Sequence, residues 1–142
     1  MNQDDNLQRF TDAQEGDYPI ALSEIKAGKK RSHWMWYIFP QVQGLGFSSM
    51  SKKYAIRNLQ EATSFINHPV LGPRLVAICN ALLALDGSDA REVFGSPDDM
   101  KLKSSMTLFA LVPETNPVFE SVLHKYFMGS KDQATLQILD RV

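Results

Sequence analysis

At 142 residues and 16.0 kDa the chain has room for one ordinary domain, which argues against a two-domain cleft enzyme. Hydrophobic residues at 44% and charged residues at 22% are the balance of a chain that buries a core, which excludes wholesale disorder. The formal net charge of -1 argues against a wholesale nucleic-acid binder or a polybasic membrane protein, but the charge is uneven. From Ile25 to Gln60 there is no acid and seven of the fifteen Lys and Arg, so the remainder holds eight cations against sixteen acids, a balance of -8.

Taken in chain order, the pattern is helical. Leu7, Phe10 and Ala13 form a short apolar face behind the candidate caps Asp4 and Asp5. Tyr18, Ala21, Leu22 and Ile25 follow at i, i+3, i+4 and i+7, with Asp17 placed to cap, Pro19 in the first turn and Gly28 placed to stop a second helix. The apolar run Trp34 to Phe39 is too short to discriminate a strand from a buried helix, and Pro40 ends it either way. Gly44 and Gly46 permit a tight turn, and Ser48, Ser49 and Ser51 suggest loop or a cap before a helix that restarts near Ser51 or Asn58 and runs to about Asn67.

Leu71, Leu75, Ile78, Leu82 and Leu85 line one face of the best candidate for a central core helix, closed by Gly87. A short helix is expected over Asp89 to Phe94. Ser96-Pro97-Asp98-Asp99 reads as N-cap, first helical residue and first-turn acids, ahead of a helix that turns Leu102, Met106, Phe109 and Ala110 inward. Asn116-Pro117 repeats the device before Val118, Phe119, Val122, Leu123, Tyr126 and Phe127, a stripe ending at Gly129. A last helix from Asp132 is expected to bury Leu136 and Leu139. The expectation is an all-α, single multihelical domain over 1–142, with about seven helices around one core.

The single cysteine, Cys79, cannot form an intramolecular disulfide, Met1 to Phe10 has no apolar signal-like stretch, and no apolar run approaches the roughly 20 residues that cross a bilayer. A cytoplasmic protein without a membrane partner is expected, a monomer being the simplest state.

The richest stretch for chemistry is Gly28 to Gln41, where Lys29, Lys30, Arg31, Ser32 and His33 precede Trp34 and Trp36. Cations for oxyanions beside aromatic faces for a base are what a phosphate-bearing ring compound needs. The alternative is structural: tryptophans in the core and lysines as a solvated helix end. In the expected helix after Ser96, Asp98, Lys101, Ser104 and Ser105 share one face, and a Lys-Ser pair can in principle serve as base and nucleophile, although capping and an i, i+3 ion pair account for the same residues. The histidines at 33, 68 and 124 have no metal-ligand spacing, and no Walker A, G-x-G-x-x-G or H-E-x-x-H motif is present, so neither metal nor cofactor is expected. Cys79 beside the apolar helix face reads as inert packing.

These segments, together with Gly44-Leu45-Gly46-Phe47-Ser48, Tyr54-Ala55-Ile56 and His68-Pro69-Val70-Leu71-Gly72-Pro73-Arg74-Leu75, resemble the DUF1810 family of uncharacterised bacterial proteins, from about Leu7 to Leu139. The resemblance implies an all-α multihelical domain and carries no catalytic assignment. The residues therefore support a protein that binds, and could process, a compact anion such as a nucleotide or ADP-ribose-like ligand. Lys29, Lys30, Arg31 and Arg57 would hold phosphate, with Ser32 and Ser104 as further polar contacts. Trp34 or Trp36 would stack, and His33, Asp98 and Lys101 are the candidate acid–base groups. The alternative is a non-catalytic module docking an acidic protein or nucleic acid through 26–57. Sequence-independent nucleic-acid binding is the weaker version, because the surrounding -8 repels a long polyanion.

Overall fold

A computed structural model describes residues 6–141, and the candidate caps Asp4 and Asp5 lie outside that range. The described residues form nine helices and no strand: α1 (Gln8–Lys26), α2 (Met35–Ile38), α3 (Ser49–Lys53), α4 (Leu59–Asn67), α5 (Leu71–Ala84), α6 (Ala90–Phe94), α7 (Asp98–Ala110), α8 (Val118–Phe127) and α9 (Gln133–Ile138). None of them is long and apolar enough to cross a membrane.

The first two expected helices are one. α1 runs through Pro19, whose ring removes the N–H that would bond the carbonyl four residues back. Pro19 is exposed, so this defect lies on the solvent side, while Phe10, Gln14, Ala21 and Ile25 are buried along the other face. Packing of that face against α2 and α5 outweighs the local break. Asp17 is consequently no cap; its carboxylate accepts a hydrogen bond from the Tyr37 hydroxyl. The C-terminus of α1 is as the spacing predicts. Gly28 sits at φ +83°, and the Gly28 and Lys29 N–H groups donate to Ile25 O (2.8 Å) and Glu24 O (3.1 Å), the double closure that a left-handed glycine allows.

α5 is central, packed on α1, α4 and α8, with Leu71, Leu75, Ile78, Cys79 and Leu82 buried. Its C-terminal carbonyls are served from α8: Lys125 Nζ donates to Leu83 O and Leu85 O, and Tyr126 Oη to Leu82 O at 2.6 Å. Gly72 lies so close to the end of α4 that a Cβ there would stand 1.9 Å from Ile66 O. A row of rings, Phe10, Phe65, Phe109 and Phe119, ties α1, α4, α7 and α8 together at centroid separations of 5.1, 5.3 and 5.7 Å. Each pair adds roughly 0.5–1.5 kcal/mol beyond area burial.

Three local readings shift. α7 begins at Asp98 with Pro97 in the cap position and no side-chain cap, the Asp99 N–H being taken by Gly95 O at 2.9 Å; Ser96 is not the cap. α8 likewise begins one residue later than expected, though Asn116 Oδ1 still accepts from Val118 N at 2.8 Å. In α9 the buried residue is Thr135, and Leu136 and Leu139 are only half-buried. The helix starts at Asp132 as expected, with Asp132 as its cap, and the Asp132 N–H donates to Thr107 Oγ1 (2.9 Å), which ties α9 to α7.

Candidate functional site

The acid-free window is organised by an acid just outside it. Glu24, in the last turns of α1, accepts hydrogen bonds from Arg31 N (2.8 Å), Ser32 N (3.0 Å), Ser32 Oγ (2.6 Å) and Trp34 Nε1 (2.9 Å). Burial pulls this carboxyl's pKa upward, but the hydrogen bonds from Ser32, the Arg31 N–H and Trp34 outweigh it and hold the group at about 2. The clamp folds residues 31–34 back over the helix end and turns Trp34 into the core, where it is 1% exposed beside Phe39 and Phe94.

Next to it stands a layered array. Lys30, its side chain 7% exposed, places Nζ 5.1 Å from the Trp34 ring and 2.9 Å from Asp98 Oδ2. The other carboxylate oxygen of Asp98 lies 3.4 Å from Lys101 Nζ, and that ammonium sits 5.1 Å from the centroid of Trp36. The order is tryptophan, lysine, aspartate, lysine, tryptophan. Each ammonium gains a carboxylate and a ring face, so the positive charge expected at Lys30 is largely satisfied within the fold.

Trp36, half-buried at the outer end of the array, borders a cavity of about 280 Å³. Gln41, Gln43, Phe47, Lys52 and Tyr54 complete its useful chemistry. The parallel bridge between Val42 and Ile56, with Gln43 N donating to Ile56 O (2.7 Å) and Ile56 N to Gln41 O (2.8 Å), holds the two loop segments of its wall together. Ser48 caps α3, its Oγ accepting from Ser51 N at 3.1 Å, which fixes the turn that carries Phe47. Phe47 is 82% exposed, an unusual exposure for phenylalanine.

A protein-family model described as a protein of unknown function, DUF1810, matches residues 4–139. The chain belongs to the DUF1810 family. Its fold is similar to the crystal structure of the conserved hypothetical protein Rv1873 from Mycobacterium tuberculosis, at 43% identity and a TM-score of 0.93, covering 95% of this chain and 96% of that one. Among curated proteins nothing matches the chain. The descriptions of the family and of the structural neighbour name no activity.

The candidate residues of this DUF1810 chain fall into three groups. Trp36, Asp98 and Lys101 come together, and Lys101 and Ser104 line a cleft of about 250 Å³ that shares Gln41, Leu45, Gly46 and Ser51 with the cavity. Ser104 is buried and donates to Met100 O at 3.1 Å, a bond within its own helix. Lys30, Ser32 and Trp34 are held by the fold as described. Lys29, Arg31 and His33 are exposed and line neither the cavity nor this cleft, and Arg57 stands elsewhere, 3.5 Å from Glu61 across one turn of chain.

Sequence reasoning did not single out Gln41, Gln43, Phe47, Lys52 or Tyr54 as site residues. The available signal was a phenylalanine set among glycines and serines within the same acid-free window, where a core role is hard to build. Cys79 is fully buried, its pKa pushed up by that burial, and it packs with Sγ 3.7 Å from Met106 Sδ. Among the described residues no group of three or more His, Cys, Asp or Glu could hold a metal ion.

Proposed function

We propose that this DUF1810 protein binds a small phosphate-bearing molecule with a flat ring, of the nucleotide or ADP-ribose-like class, in the cavity bordered by Trp36 and Phe47. The observation that carries the reading is that a half-buried tryptophan, backed by an ammonium, and a nearly fully exposed phenylalanine line the same loop-walled cavity. Flat faces suit a ring, the amides of Gln41 and Gln43 offer a donor and an acceptor each for its edge, and Lys52 supplies countercharge. His33 lies outside the cavity, so the reading is one of binding and assigns it no proton-transfer step. A cytoplasmic setting fits the free, buried Cys79.

Isothermal titration against a nucleotide panel tests this, with Phe47→Ala as the variant because so exposed a ring contributes little to folding. Loss of a stacked ring removes roughly 1–3 kcal/mol, so binding should weaken by about fivefold to 150-fold. Absence of nucleotide binding, or an unchanged affinity in Phe47→Ala, overturns the reading. The exposed Lys29 and Arg31, away from the cavity, favour a second reading in which an acidic protein or nucleic acid docks on that surface. Such binding would fall steeply with salt and persist in Phe47→Ala.

A further inference from the structure

The cavity shares wall residues with two neighbouring clefts, and the two differ in charge. On one side lies the cleft of Met100, Lys101, Ser104 and Asp132, where one cation already paired with Asp98 faces one carboxylate. On the other, sharing Gln43, Lys52 and Ala55 with the cavity, is a basin of about 350 Å³ whose lining holds Arg9, Lys52, Lys53 and Arg57 against a single acid, Glu61.

The basin is built around that acid. The Glu61 side chain is fully buried, and its carboxylate takes Arg9 at 3.4 and 3.5 Å and the Arg57 N–H at 2.8 Å, while Asn58 Oδ1 accepts from the Glu61 N–H at 2.9 Å. Arg9 is fixed in turn by Lys53 O at 2.8 Å and Ala55 O at 2.7 Å. A guanidinium fixed by these four contacts cannot swing away, and Arg9 and Arg57 together outnumber their shared partner Glu61 by one charge, so the basin keeps a net positive wall before any ligand arrives, with the exposed Lys52 and Lys53 at its rim.

We propose that this basin is a phosphate subsite, so that the ligand is a ring compound whose phosphates extend past Lys52 toward Lys53 and Arg9, with its ring in the Trp36–Phe47 cavity. The proposal rests on the ring-binding reading for its second half only. It moves the phosphate site away from Lys29, Lys30 and Arg31, which the fold either exposes at a distance or pairs internally.

The test is isothermal titration at one low ionic strength with adenosine, ADP and inorganic pyrophosphate against the unmodified protein, Lys53→Gln, Phe47→Ala and the control Lys103→Gln, whose ammonium lies over Phe127 rather than in the basin. Thermal melts confirm that each variant is folded. Pyrophosphate should bind the unmodified protein, weaken about fivefold or more in Lys53→Gln, and be untouched by Phe47→Ala and Lys103→Gln. ADP should bind about tenfold or more tightly than adenosine, with the margin shrinking in Lys53→Gln. No pyrophosphate binding, or equal weakening by Lys103→Gln, overturns the subsite. Adenosine and ADP binding equally, both sensitive to Phe47→Ala, overturns the subsite and leaves the ring reading standing. Pyrophosphate binding that depends on Lys53, with no adenosine binding, supports the subsite and removes the ring reading.

Discussion

Replacing Glu24 by glutamine tests whether one carboxylate sets the conformation of the segment between α1 and α2. Glutamine keeps the shape: its oxygen can still accept from Arg31 N, Ser32 N and Trp34 Nε1, and its amide can donate to Ser32 Oγ. Only the charge is lost. A carboxyl held at about 2 against its usual 4.5 corresponds to about 3 kcal/mol of preference for the charged form. Water reaches part of Glu24, and screening reduces the usable share to about 2 kcal/mol. For a domain of this size that is a loss of ~4–8 °C in Tm at pH 7.

The sign of the pH dependence follows from the depressed pKa. The contribution is complete above the unfolded-state value and disappears as pH falls from about 5 to about 2, so the gap between the two proteins should be full at pH 7 and close toward pH 2. Melts followed by circular dichroism at pH 7, 5, 4 and 3 measure it. Equal stability at pH 7, or a gap of the same size at pH 3, refutes the reasoning. Glu24→Ala should cost more, because the indole N–H of Trp34, buried in the core, is left without its acceptor at about 1–3 kcal/mol.

Further outcomes follow from the packing. Gly72→Ala drives a methyl to 1.9 Å from the Ile66 carbonyl, backbone that cannot rotate aside, and should cost about 3 kcal/mol or leave the protein unfolded, read as a lower urea midpoint. Lys125→Met keeps the apolar stem but leaves Leu83 O and Leu85 O without their ammonium, and should lose about 1–2 kcal/mol by thermal melt. Lys131→Met breaks the more exposed pair with Glu120 and should lose less than about 1 kcal/mol by the same measurement. Cys79, fully buried with its pKa raised, should resist iodoacetamide at pH 8 in the native protein and react once urea unfolds the chain; rapid labelling of native protein, read by mass spectrometry, would contradict the burial.

What the sequence determined by itself is the part of the structure that depends on near neighbours. The 3.6-residue apolar pattern of Leu71 to Leu82, the caps Asp89, Asp132 and Asn58, and Gly28 at the end of α1 each act through residues within one or two turns, and the helices stand where those signals put them. Local signals misled where a distant surface outbid them. Pro19 and Asp17 read as a helix start, yet Phe10, Gln14, Ala21 and Ile25 are buried along one face on both sides of them, and a continuous helix results. The site was half legible for the same reason. Charge counting found residues 26 to 57, but only the tertiary structure decides that Trp34 is core while Trp36 borders a cavity, since residues two apart within one turn face different sides and differ in what packs over them. Lys30 meets Asp98 from 68 positions away, and Arg9 meets Glu61 from 52. Contacts of that separation leave no periodicity in a sequence, so whether a lysine is a ligand for phosphate or already paired is settled by the fold.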